Sequence, residues 1–126
     1  MIARFVIFGA PRTKKNHGRR VWARKQKRIV SVPSEAFEVW EQKALWQLRQ
    51  MFGARPPEYR EPIRVAARFY REARTGDLVG YMQGLADTLQ KAKVIVDDKF
   101  IVNWDGTRLD KDAARPRVEV EIYMEG

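Results

Sequence analysis

A chain of 126 residues has room for one domain with a real hydrophobic core and is too short for two of ordinary size. Its 44% hydrophobic and 33% charged residues exclude a disordered or low-complexity chain, and the absence of cysteine excludes disulfides and thiolate metal sites. With a single histidine, His17, zinc clusters are excluded too, so any metal must sit on oxygen ligands.

The net charge of +9 is concentrated at the start of the chain. Residues 1–34 carry ten basic residues and no acidic one, whereas residues 35–126 carry fifteen basic and sixteen acidic residues. A positive segment on an otherwise balanced domain suits a polyanion, because each Lys or Arg that neutralises a phosphate releases condensed counterions. A solubilising basic face is the plain alternative.

In chain order, residues 2–8 place Phe5, Ile7 and Phe8 in a first strand, ended by Gly9-Ala10-Pro11. Arg4 within this stretch argues against a signal peptide or a membrane span, so a cytoplasmic protein with no membrane partner is expected. The basic loop Arg12-Thr13-Lys14-Lys15-Asn16-His17-Gly18 follows, and then Arg19–Ala23 and Arg28–Val32 read as the arms of a hairpin. Ser34 is placed to cap a helix whose apolar stripe is Phe37, Trp40, Ala44, Leu48 and Met51, with Gly53 as its stop. Ile63, Val65, Ala67 and Phe69 alternate with Arg64, Ala66, Arg68 and Tyr70, as in a half-buried strand.

A second helix is expected over Leu78–Lys91, capped by Asp77, with Leu78, Met82, Leu85 and Leu89 on its apolar side. Val94-Ile95-Val96 leads into Asp97-Asp98, and Phe100-Ile101-Val102 comes next. A turn-rich segment from Asp105 to Pro116 precedes a last strand marked by Val118, Val120, Ile122 and Met124. Strands and helices in this order predict an α/β or α+β single domain over residues 1–126, a mixed β-sheet with two main helices packed on it.

Three carboxylates stand out. Asp77 lies between a strand and a helix, and a hairpin-like return of the chain would bring Asp97 and Asp98 to the same edge. Magnesium takes oxygen ligands, keeps several waters and needs few carboxylates from the protein, with manganese as a second candidate. The plain reading makes Asp77 an N-cap and Asp97-Asp98 a solvated turn. Carboxylates beside a polyanion-binding segment make sense together as a nuclease. Gly80, Gly84 and Asp87 share a nearly bare helix face, open to a phosphate, a sister subunit or another helix.

From Asp77 to Asp98 the chain reads DLVGYMQGLADTLQKAKVIVDD, which resembles without gaps the metal-binding stretch of the RusA family of Holliday-junction resolvases. That stretch begins Asp-Leu-Asp-Asn-Leu, carries an aspartate in mid-helix and ends in Asp-Asp, matched here by Asp77, Asp87, Asp97 and Asp98. Gly9-Ala10-Pro11 with Thr13-Lys14-Lys15-Asn16 resembles the family's basic N-terminal loop, and Val32-Pro33-Ser34 its lead into the first helix.

The resemblance implies a RusA-like fold and a homodimer that binds branched double-stranded DNA. It implies magnesium-dependent cleavage of opposed strands at four-way junctions, in DNA recombination and repair. Asp77 and Asp98 would be the principal metal ligands, with Asp97 assisting. Lys14, Lys15, Asn16, Arg19 and Arg20 are the residues expected on DNA. Two positions depart from the pattern: Val79 replaces a second aspartate and Gln83 replaces a lysine. These departures keep open a weak or catalytically inactive branched-DNA-binding protein. Asp87 stands about 15 Å along the helix axis from Asp77 at 1.5 Å per residue, too far to share its ion. Asp105, Asp110 and Asp112 are the remaining candidates for the vacant ligand position, or else turn residues. Trp22, Trp46 and Trp104 are read as packing residues before stacking platforms, Trp40 as core, and His17 as a phosphate or solvent contact before a proton donor.

Overall fold

The computed structural model describes residues 1–14, 20–24, 27–31 and 34–125. Strands β1 (Ala3–Phe8), β4 (Ile63–Arg71), β5 (Ile101–Asn103), β6 (Arg108–Lys111) and β7 (Arg117–Met124) form a mixed five-stranded sheet. Strands β2 (Arg20–Ala23) and β3 (Arg28–Ser31) pair as a separate antiparallel hairpin, as their alternation predicted. Helices α1 (Glu35–Phe52) and α2 (Leu78–Lys91) complete an α+β arrangement. None of the described helices is long and apolar enough to cross a membrane.

The order β1-β7-β4 is antiparallel throughout, while β5 and β6 both run parallel to β4. Parallel neighbours require a crossover, and here α2 supplies it. Alternation along β4 and β7 turns Ile63, Val65, Ala67, Phe69, Val118, Val120 and Ile122 into one core with Phe37, Trp40, Leu48, Tyr81, Leu85 and Leu89 of the helices. The opposite face is polar and paired across strands: Arg64 lies 4.0 Å from the Tyr123 ring centroid and Arg117 4.0 Å from that of Tyr70.

Ser34 caps α1 by accepting the Phe37 N–H at 3.1 Å, and Gly53 ends it with φ 67°. Met51, expected on the core stripe, is exposed, and Phe52 takes the last-turn core position instead, its ring 5.6 Å from that of Phe5 on β1. Glu41, off the expected stripe, is buried on the face toward α2, where its carboxylate accepts from Lys91 at 2.7 Å and from the Thr88 hydroxyl at 3.2 Å. The α2 stripe is also rotated from expectation: Leu78 is exposed and Met82 half-buried, while Tyr81, Leu85, Thr88 and Leu89 form the core face. The turn-rich segment expected between Asp105 and Pro116 contains β6, whose sequence Arg-Leu-Asp-Lys has no apolar alternation. It becomes a strand because β4 offers an unfilled edge, with Arg71 donating from Nε to the Asp110 carbonyl at 3.2 Å.

Candidate active site

Strand β4 runs out at Arg71, and the chain enters α2 through Gly76 at φ 80° and Asp77. Asp77 occupies the N-cap position with extended backbone, and its carbonyl accepts the Tyr81 N–H at 3.2 Å. Its carboxylate makes no capping hydrogen bond. The Oδ1 atom lies instead over Gly80, only 2.6 Å from where a Cβ would stand. The helix is thus started by the backbone, and the plain capping reading of the Asp77 side chain is not realised.

At the other end of the crossover, Val94 and Ile95 are buried and the chain turns through Asp97 into a short 3-10 turn, Asp98–Phe100. The Asp97 carboxylate accepts the Lys99 N–H at 2.9 Å, a bond that holds it below the usual carboxylate range. Asp98 donates its N–H to the Gln90 side chain at 2.9 Å. Its carboxyl is pushed up, first by partial desolvation, then by contact with Asp97 and by the like charge of Asp87. Two adjacent aspartates therefore face opposite electrostatic demands.

A groove of about 460 Å³ joins the outer face of α2 to this turn and to β5, lined by Lys14, Val79, Gln83, Asp87, Asp98 and Trp104 among others. Val79, Gln83 and Asp87 recur every four residues, which puts them on one helix face. Across the groove, Lys14 Nζ meets Asp87 Oδ2 at 2.6 Å. Asp77 and Asp97 are not among the lining residues. The hairpin-like return expected from the sequence is a parallel crossover instead, so Asp77 stands at the start of α2 while Asp98 is bonded to Gln90 in its last turn. Among the described residues no group of three or more His, Cys, Asp or Glu has metal-holding geometry.

Asp110 and Asp112 are committed elsewhere, to Arg108 at 2.8 Å and to Arg117 at 2.9 Å. Asp105 is exposed in the turn after β5, where its N–H is bonded by Asn103. None of the three lines the groove. Of the residues expected on DNA, Lys14 lies in the groove; Lys15, Asn16 and Arg19 fall outside the described residues, as does His17. Arg20 is placed by its backbone alone, as the first residue of β2. Trp40 is core as expected, Trp104 lines the groove, and Trp46 is 63% exposed on α1, where packing was expected.

The bare glycine face has occupants. A Cβ at Gly84 would come within 2.8 Å of Phe37 from α1, and one at Gly80 within 3.1 Å of the Thr13 methyl. Another helix and the N-terminal loop fill this face. The relation of Asp87 to Lys14 and Asp98 was not anticipated, although the spacing of positions 79, 83 and 87 could have revealed the helix face.

The donor set suits a hard divalent cation. Asp98 and Asp97 offer carboxylate oxygens in contact with each other beside an open groove, and the chain has no cysteine to offer a thiolate. Magnesium is usually held by one or two carboxylates with waters and substrate phosphates, so a cluster of three is not required.

No curated protein matched the sequence. The family model described as endodeoxyribonuclease RusA matches residues 9–123. That span runs from the glycine after β1 to the penultimate residue of β7 and includes both carboxylate segments and the groove. The chain belongs to the RusA family of endodeoxyribonucleases.

Proposed function

We propose that this protein is a magnesium-dependent endonuclease that cuts four-way DNA junctions as a homodimer, with Asp98, Asp97 and Asp77 as its metal-holding and catalytic residues. The observation that carries this reading is the groove at Asp98, where carboxylate oxygens and a lysine face the same open space. Family membership supports action on branched DNA and a divalent metal in general. The basic residues gathered before position 35 support phosphate binding, with Lys14, Lys15, Asn16, Arg19 and Arg20 taking DNA phosphates.

Asp98 and Asp97 would hold the ion, while Asp77, toward the other end of α2, would act on the bound DNA apart from that ion. When bound, a divalent ion lowers the pKa of water and draws charge from phosphate oxygens. The chain's own residues do the rest. Gln90 fixes the Asp98 backbone, and the Lys99 N–H fixes the orientation of the Asp97 carboxylate. The basic segment holds the phosphodiester against the groove, and Trp104 forms part of the wall.

A second reading, a branched-DNA-binding protein that does not cut, is favoured by Val79, 57% exposed on the groove, and by Gln83 beside it. One experiment separates the two: a labelled four-way junction and a linear duplex, with magnesium or EDTA, for wild type and Asp98→Asn. Paired magnesium-dependent nicks in the junction that vanish in the variant are expected. Tight junction binding without cleavage establishes the second reading, and equal affinity for both substrates refutes both.

A further inference from the structure

Lys14 is held in place by a track of small residues. After β1 the chain is pinned by the Gly9 N–H donating to the Pro116 carbonyl at 3.1 Å, by an ion pair of Arg12 with Glu72, and by the Ser34 hydroxyl donating to the Thr13 carbonyl at 3.4 Å. Gly76, Gly80 and Gly84 fall four residues apart, and the loop lies along them. A Cβ at Gly76 would meet the Thr13 methyl at 3.0 Å, and one at Gly84 would lie 3.6 Å from the Arg12 carbonyl oxygen. Side chains at Gly76 and Gly80, where a Cβ would stand 3.0 and 3.1 Å from the Thr13 methyl, would press on the loop. The track ends near Asp87, where Lys14 enters the groove, and among the described residues Lys14 is the one cationic side chain lining it.

We propose that Lys14 is a catalytic residue: it leaves Asp87 when DNA enters and takes the oxygen of the phosphate being cut beside Asp98. This rests on the nuclease reading above. In hydrolysis a bond forms from water oxygen to phosphorus, and the bond from phosphorus to the leaving sugar oxygen breaks. The water gives its proton to solvent and the leaving oxygen takes one from solvent. Lys14 stays protonated and faces the negative charge that grows on the phosphate oxygens, as a charge placed before the reaction begins. Its four-carbon stem allows the exchange, and with 45% of its side chain exposed the pair with Asp87 is weakly held.

The test uses the full chain. Lys14→Gln, Lys14→Arg and Lys14→Gln/Gln83→Lys are compared with wild type on a four-way junction in magnesium, by single-turnover cleavage at saturating protein and by binding across a salt series. Gln83 lines the same groove four residues before Asp87, so a lysine there reaches the same space. Lys14→Gln is expected to slow cleavage about 100-fold, the scale of one lost charge-stabilising donor. It should also reduce the salt slope of binding by about one. Lys14→Arg should stay within about tenfold of wild type, since its charge is kept. The double variant should recover at least about tenfold over Lys14→Gln, a rescue that a merely structural ion pair does not predict.

Saturated Lys14→Gln cutting at the wild-type rate overturns the proposal, as does failure of both Lys14→Arg and Gln83→Lys to retain or restore cleavage. No cleavage by wild type refutes the nuclease reading and with it the role of Lys14 in the rate. In that case the salt slope alone decides the contact: a fall of about one supports Lys14 on phosphate, and an unchanged slope overturns that as well.

Discussion

Gly84 sits in the middle of α2, where replacing glycine by alanine ordinarily stabilises a protein by about 0.5–1 kcal/mol through backbone entropy and helix propensity. Here the sign should reverse. The added methyl would stand 2.8 Å from Phe37 Cε1, roughly 1 Å inside a comfortable carbon contact, and Phe37 is fully buried among core neighbours from α1 and the sheet. The ring has no exposed side toward which to swing, so the helices must part or the ring must leave its rotamer. Overpacking of this kind costs about 1–3 kcal/mol. Set against the propensity gain, Gly84→Ala should lose about 1–2 kcal/mol. With a urea slope of about 1.5 kcal/mol/M for a protein of this size, the midpoint should fall by about 1 M. Phe37→Leu in the same chain removes the atom that clashes. The double variant should therefore be more stable than the sum of the single losses predicts, by about 0.5 kcal/mol or more. An unfolding midpoint for Gly84→Ala at or above wild type would show that the helices are not in contact at this point and would refute the account of the glycine face.

Three further outcomes follow from other parts of the molecule. Asp112 is held below its usual value of 3.8 by the Arg117 side chain and the Arg115 N–H, so its carboxylate stabilises the fold above that pH and ceases to do so as pH falls through the lowered value. Asp112→Asn should thus lower the urea midpoint at pH 7, with the loss shrinking as pH falls below 3.8, and a loss that does not change with pH would mean that charge is not the cause. On β1, an edge strand, Gln47 accepts the Phe8 N–H at 2.8 Å and donates to the Phe8 carbonyl at 2.9 Å, beside exposed Phe8 and Trp46. Gln47→Ala should cost about 1 kcal/mol by urea unfolding and, by uncovering strand edge, raise self-association in light scattering. Asp98→Asn should remove cleavage while leaving the urea midpoint close to wild type, because the Asp98 backbone bond to Gln90 does not involve the carboxylate.

Much of the local structure could be read from residue spacing. The bounds of α2, the Ser34 cap, the Gly53 stop and the pairing of β2 with β3 follow from patterns within a few residues, where backbone geometry and nearby hydrogen bonds decide the outcome. The motif from Asp77 to Asp98 was enough to suggest the family before any fold was known. Strand β6 was not legible, because Arg108–Lys111 has no pattern of its own and is a strand only where β4 leaves an edge to be paired. Met51 and Leu78 have core chemistry but fall off the helix faces that the core covers.

The candidate site divides in the same way. Sequence determined which carboxylates were present, that the excess positive charge lay before residue 35, and that Val79 and Gln83 broke the family pattern. Tertiary structure decided their arrangement: the crossover through α2 places Asp77 and Asp98 toward opposite ends of one helix, and the glycine track brings Lys14 to Asp87. The physical reason is range. Helix periodicity and capping act over one or two turns, whereas Lys14 and Asp87 are 73 residues apart in sequence and meet only because glycines without side chains let the N-terminal loop lie against α2.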